Sequence, residues 1–194
     1  MNMIRAFIAV DLSPHVLANL EGTARQLQAR LAGLPVRWVA VENIHLTLKF
    51  LGDVSETNLS GLYRIMQSNA ERTTAFEVQT VGVGGFPSAG RPRVIWAGVH
   101  APPTLQALQH AIDLETAQAG YPAEERPFSP HLTLGRVARG ANTQQTRRIG
   151  ELLSEFKVGP LGASPVQAVH FYRSDLKPGG PLYTRLYSAP LRPA

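Results

Sequence analysis

Cysteine is absent from the 194 residues, which excludes a disulfide framework, a thiolate nucleophile and any cysteine-based zinc or iron–sulfur site. Long apolar runs are absent too. Stretches such as Ala6–Val10 fall far short of the roughly 20 residues that a membrane-spanning helix needs. The segment Met1–Val10 places one arginine before five apolar residues and then Asp11, too little for the centre of a secretory signal, so the expected location is the cytoplasm. No Gly-rich dinucleotide fingerprint or P-loop occurs, and the regular strand–helix alternation of a doubly wound parallel sheet is missing.

What is present is the composition of a folded chain, 44% hydrophobic and 17% charged, long enough to bury a core as one domain or two packed lobes. Nineteen Lys+Arg against 14 Asp+Glu give a net charge of +5, and nearly all of the cations are arginine. The planar guanidinium suits bidentate phosphate contacts, whereas lysine is a mobile point charge. On charge alone, a phosphate-bearing partner and a solvated basic surface are equally good readings.

Alternation over Ile4–Val10 predicts an opening strand buried on both sides, with Arg5, Phe7 and Ala9 against Ile4, Ala6, Ile8 and Val10. Ser13-Pro14 predicts a helix start, and Leu17, Leu20, Ala24, Leu27 and Leu31 carry the helix to about Ala32. Strands are expected at Val36–Val41, Asn43–Leu51, Phe76–Val83 and Val94–Val99, with a second helix capped by Ser55 and a loop at Gly84–Gly90. A third helix opens at Pro102-Pro103. His131–Val137 follows as a strand, then a helix from about Asn142 to Phe156, and finally strands Gln167–Ser174 and Leu182–Ser188 around a Lys177–Pro181 turn containing Gly179. This order is that of an α+β fold, and a similar strand–helix order in each half suggests two pseudo-symmetric lobes.

The tetrapeptide His-Leu-Thr-Leu occurs twice, at His45–Leu48 and His131–Leu134. Side chains alternate along a strand, so each copy sends histidine and threonine to one face and both leucines to the other. Two such strands can flank a cleft with an imidazole and a hydroxyl from each side. In-line displacement at phosphorus needs a base on the attacking oxygen and an acid on the leaving oxygen. Histidine can hold either role near neutral pH, and threonine hydroxyls can stabilise charge on the non-bridging oxygens. Arg136 can add a fixed positive charge. A lone histidine of this kind is more often a buried strand residue; the pair reverses that reading. Neither motif places an acid or second histidine at metal-ligand spacing, so no metal or other cofactor is expected.

These residues resemble the two-histidine phosphoesterases, specifically the bacterial RNA 2′,3′-cyclic phosphodiesterases first described as 2′-5′ RNA ligases. The resemblance rests on Arg5–Ala9, Trp38, Asn43–Gly52, Phe86-Pro87, Pro92–Trp96, Phe128–Arg136, Tyr172–Ser174, Gly179 and Tyr183. It implies a single LigT-like phosphoesterase domain over residues 1–194, of two intertwined lobes whose antiparallel sheets line a central cleft with helices outside. It also implies metal-independent hydrolysis of a terminal 2′,3′-cyclic phosphate to a 2′-phosphate, with 2′-5′ ligation as the reverse reaction. His45 then resembles the proton donor and His131 the proton acceptor, with Thr47, Thr133 and Arg136 holding the phosphate. Residue chemistry alone leaves open which histidine is acid and which base.

Gly135 departs from the family pattern and is expected to loosen its strand slightly; His170 departs by being polar. His15, His100, His110 and His170 are read as surface or packing residues outside the site. Trp38, Trp96, Phe7 and Phe86 are read as core, and packing is also the default for Phe50 and Phe128. Arg91, Arg93 and Arg126 sit in proline-flanked loops able to border the cleft, whereas Arg139, Arg147 and Arg148 suit a solvated face. The expected partner is RNA with a 2′,3′-cyclic phosphate end or a related nucleotide, bound by a monomer without membrane attachment. The competing readings are an RNA-end or nucleotide-binding protein without turnover, and a phosphodiesterase of 2′-5′ linked oligonucleotides.

Overall fold

The computed structural model describes residues 2–178 and 180–194, so Gly179 of the expected closing turn lies outside the described residues. The chain runs β1 (Met3–Val10), α1 (Pro14–Arg30), β2 (Val36–Trp38), β3 (Leu46–Ser55), α2 (Leu59–Arg72), β4 (Phe76–Phe86), β5 (Val94–His100), α3 (Pro103–Gln118), β6 (His131–Val137), α4 (Thr143–Glu155), β7 (Pro160–Val166), β8 (Ala168–Lys177) and β9 (Gly180–Pro190). The Ser13-Pro14 helix start acts as expected, and α4 has a cap beyond those expected. The Ser13 hydroxyl accepts from the Val16 amide with Pro14 at the first turn of α1, and Asn142 with Gln145 forms a reciprocal capping box on α4.

Two antiparallel sheets result, ordered β3-β1-β8-β9 and β2-β6-β5-β4-β7. Leaving aside the three-residue β2, each sheet is a four-strand array headed by a strand that carries one His-Leu-Thr-Leu copy, which is the pseudo-two-fold relation. Strands β3 and β6 lie against each other; α2 and α3 cover the first sheet, and α1 and α4 pack on the second. The α+β, bilobal architecture with helices outside is therefore as expected.

Several boundaries differ for local reasons. The Val36–Val41 strand shortens to β2 because a 3-10 turn at Val41–Asn43 intervenes, and β3 begins only after it. Gly52 does not end β3: it adopts φ +70 and the pairing with β1 continues to Met3↔Ser55. Ser55 caps a further 3-10 turn, Glu56–Asn58, ahead of α2. Gly84–Phe86 belong to β4 rather than to a loop, because Trp96 lies across Gly84 where any Cβ would collide with its ring. Strand β7 is additional to the expected strands; its run of Pro160, Gly162, Ala163 and Pro165 has no apolar alternation, and it is held at the sheet edge by pairing with β4 and by Ser13 and Asn19 at the start of α1, which bond to Ser164, Ala163 and Leu161.

The core sits between the sheets' convex faces and the helices. All four motif leucines, Leu46, Leu48, Leu132 and Leu134, are buried in it. So is one cation. The Lys49 side chain is sealed from solvent, and its ammonium pairs with the Asp113 carboxylate on α3 and donates to the Pro122 carbonyl. Asp113 also accepts from the Glu124 amide, so the pair ties β3 to α3 and the loop beyond it. Removing one partner leaves a buried charge uncompensated. Asp113→Ala is expected to lower unfolding free energy by about 3–5 kcal/mol, measured by urea denaturation, and the double variant Lys49→Met with Asp113→Leu is expected to recover part of that loss.

Candidate active site

The two histidines are held in the same way. His45 Nδ1 lies 2.9 Å from the Asn43 carbonyl and His131 Nδ1 lies 2.7 Å from the Ser129 carbonyl. A carbonyl can only accept, so each Nδ1 carries a proton, and in the neutral form of either ring the lone pair sits on Nε2. In both cases the acceptor is two residues upstream, so the turn entering the strand sets the tautomer.

The strands then break phase at the same point. In the β1–β3 register Thr47 opposes Ala9 and Lys49 opposes Ile8, so Leu48 is an extra residue. In β5–β6, Thr133 opposes Trp96 and Gly135 opposes Ile95, so Leu134 is extra. A bulge at the last motif leucine shifts the alternation by one. The next residue, Lys49 or Gly135, is buried, and the one after it, Phe50 or Arg136, turns outward. Strict alternation from His131 would put Arg136 on the opposite face; the bulge brings it to the face of His131 and Thr133.

His45, Thr47, His131, Thr133 and Arg136 all line one cleft of about 720 Å³ between the two sheets. Residues not expected in the site join them: Arg37 and Trp38 on β2, Asn43 on the 3-10 turn that follows, and Lys177 and Tyr183 from the β8–β9 hairpin. Asn43 Nδ2 donates to the Pro181 carbonyl at 3.0 Å and pins this hairpin to the turn that carries His45.

Four expectations need correction. Arg91, Arg93 and Arg126 do not line the cleft, whose cations are Arg37, Arg136 and Lys177. Phe50 is not first of all a packing residue: it meets Phe7 at 6.2 Å between ring centroids but is 57% exposed on the cleft wall, placed there by the bulge. Trp38, read as core, is half-buried and also lines the cleft. Gly135 does not slacken β6; a Cβ there would press on Trp38 and Val36 at 3.1 Å, so its bareness lets β2 close onto the motif strand. Phe128 and Trp96 are half-buried, Phe128 against the core.

The two imidazoles have different surroundings. Phe7 stacks on His45 with ring centroids 4.5 Å apart, Tyr183 meets it near-perpendicular at 5.2 Å, and Tyr172 lies 5.3 Å from Phe7 and 6.4 Å from His45, its ring roughly parallel to both. Tyr172 is fixed in turn: its hydroxyl donates to Asp11 at 2.6 Å, and Arg185 bonds Asp11 at 2.7 Å. His170, buried beside Ser188, has Nε2 3.6 Å from the same carboxylate. Among the described residues, the aromatic neighbour of His131 is Phe86, near-perpendicular at 4.9 Å.

Burial among these rings lowers the His45 pKa to about 4, opposed by its bond to the Asn43 carbonyl and by the charge of Asp11. Burial likewise lowers His170, and together with the bond to Asp11 it pushes Tyr172 up to about 12. Among the described residues, no three histidine, aspartate or glutamate side chains converge as a metal-ligand set. What the arrangement offers is two Nε2 atoms, two hydroxyls and a guanidinium facing one space, a set suited to proton transfer around an anion.

His45 is thus neutral in the free protein at pH 7, and it binds a proton more readily unfolded, at about 6.5, than folded, at about 4. Its contribution is therefore complete above pH 6.5 and lost as the pH falls through that window toward 4, by up to roughly 3 kcal/mol. Imidazole NMR of the free protein is expected to find His45 titrating near 4 and lower still in Asp11→Asn. Acidification from pH 7 to 4.5 is expected to lower Tm less in His45→Gln than in the native chain; equal losses would contradict the assignment.

The geometry has close counterparts. The family model described as LigT like Phosphoesterase matches residues 10–96 and 99–183. The RNA 2′,3′-cyclic phosphodiesterase of Methanothermobacter thermautotrophicus is 35% identical over 184 residues, covering 93% of this chain and 95% of the relative. That of Thermotoga maritima is 32% identical over 184 residues, covering 95% and 94%. Among solved structures, TT0787 of Thermus thermophilus superposes with a TM-score of 0.78 at 29% identity, covering 97% of this chain and 98% of that one. LigT of E. coli complexed with 3′-AMP does so at 0.77 and 26%, covering 98% and 99%. With a family model spanning most of its length and relatives of this similarity over nearly all of it, the chain belongs to the LigT-like phosphoesterases.

Proposed function

We propose that this protein hydrolyses the terminal 2′,3′-cyclic phosphate of RNA to a 2′-phosphate and a free 3′-hydroxyl. The observation that carries this reading is the facing pair of histidines, each with Nδ1 tied to a carbonyl and Nε2 free, in a cleft that also holds Thr47, Thr133 and Arg136. Relatives at up to 35% identity that are named RNA 2′,3′-cyclic phosphodiesterase support the substrate class.

His131 takes a proton from water as the water oxygen bonds to phosphorus. The bond from phosphorus to the 3′-oxygen breaks, and His45 gives that oxygen its proton. Thr47 and Thr133 donate hydrogen bonds to the non-bridging oxygens while Arg136 offsets their charge. His45 must carry a proton for this step, and the bound phosphate anion, which replaces water beside the ring, is what raises its affinity for one. With a 5′-hydroxyl in place of water, the same steps form a 2′-5′ linkage as the 3′-oxygen leaves; their reverse, attack of the 3′-hydroxyl with loss of the 5′-oxygen, cleaves it.

A second reading exchanges the two roles, and the neutrality of His45 in the free cleft favours it. We read the 194 residues as one domain, supported by a chain that crosses between the sheets four times, and the protein as a monomer acting in the cytoplasm. No described helix is long and apolar enough to cross a membrane.

His45→Ala and His131→Ala are each expected to lower turnover of a 2′,3′-cyclic phosphate oligonucleotide by about 10²–10⁴ while folding persists. Near-native turnover in either would overturn the reading, as would a 3′-phosphate product. Binding to RNA ends without turnover would favour the binding-protein alternative. A phosphodiester with a nitrophenolate leaving group needs no acid, so it is expected to restore His45→Ala far more than His131→Ala; the opposite pattern would select the exchanged roles.

A further inference from the structure

Arg136 meets the single charge of a cyclic phosphate, and a second arginine beside it has no role in that reaction. Arg37 stands on the edge strand β2, directly opposite Arg136 in the antiparallel register, and both line the cleft. Like charges so placed repel. Among the described residues neither has a carboxylate within 4 Å, although Arg30, Arg72, Arg173 and Arg185 each do. No aspartate or glutamate lines the cleft, and Lys177 on the opposite wall adds a third cation.

A 2′,3′-cyclic phosphate is a diester with one negative charge, which Arg136 and the two threonines already match. Arg37 is one strand spacing, about 4.8 Å, further from the motif strand, at the sheet edge. Its uncompensated charge therefore fronts the space next to the terminal phosphate, where a longer substrate carries its next anion. We propose that Arg37 binds the phosphodiester preceding the terminal nucleotide, so that the preferred substrate is the single-stranded end of an oligoribonucleotide and not a nucleoside 2′,3′-cyclic phosphate. The guanidinium fork can take both non-bridging oxygens of that diester. This inference rests on the hydrolytic function proposed above.

The experiment compares kcat/KM for a nucleoside 2′,3′-cyclic phosphate and for a tetranucleotide ending in the same group, in the native chain, Arg37→Ala and Arg37→Lys. The native chain is expected to prefer the tetranucleotide, Arg37→Ala to reduce the tetranucleotide-to-nucleoside ratio by about tenfold, and Arg37→Lys to restore part of it. The salt dependence for the tetranucleotide is expected to become shallower by about 0.7 in log–log slope in Arg37→Ala, the loss of one single-strand phosphate contact. A ratio unchanged in Arg37→Ala overturns the inference alone, whether both substrates slow together, which would put Arg37 on the terminal phosphate or the product, or neither slows. Failure of the native chain to turn over either substrate would instead overturn the hydrolytic reading, and the inference with it.

Discussion

The bulge at the second leucine of each motif is the constraint on which the site depends. A strand that obeyed strict alternation could bury both leucines and present histidine and threonine, but its next outward position would then be Lys49 or Gly135. Lys49 is needed inside, against Asp113, and Gly135 is needed bare, beneath Trp38. One extra residue satisfies both demands and brings Phe50 and Arg136 to the cleft. Because the device is the same in both sheets, Phe50 and Arg136 occupy corresponding places, each five residues beyond its histidine. One wall thus offers an apolar face and the other a charge, so two copies of one tetrapeptide make a cleft with distinct ends.

The same division runs through the histidines. Their tautomers are set alike, by carbonyls two residues upstream, yet His45 is enclosed by Phe7 and Tyr183 while, among the described residues, the aromatic neighbour of His131 is Phe86. The low proton affinity of His45 comes from neighbours supplied by other strands, not from the motif. The Asp11 and Arg185 pair holds the Tyr172 ring, which lies alongside both Phe7 and His45, so a polar cluster helps to fix the orientation of the imidazole through one aromatic ring.

The α+β class, the Ser13-Pro14 helix start and the four motif residues His45, Thr47, His131 and Thr133 were legible because each rests on a local signal, the last four on the repeated tetrapeptide. Arg136 was legible through family resemblance rather than through periodicity, which points it the wrong way; a bulge has no sequence mark beyond the glycine that follows it here. Arg37, Lys177 and Tyr183 were not legible as site residues because the strands that carry them reach the cleft only through pairing with distant segments. Strand β7 and the Gly84–Phe86 end of β4 were missed for a different reason. Their glycines and prolines dilute the β propensity of Val166 and Phe86, and the neighbouring strand or Trp96 supplies the stabilisation.

Asn43 serves two structures with its two ends. Its backbone carbonyl holds the His45 ring, and its side chain holds the Pro181 carbonyl of the β8–β9 hairpin. The hairpin is therefore mechanically coupled to the imidazole: a displacement at its tip is transmitted through one residue to the atom that fixes which nitrogen carries the proton. Length or sequence changes in that hairpin, remote in the chain from either motif, give evolution a way to retune the histidine while leaving both tetrapeptides untouched.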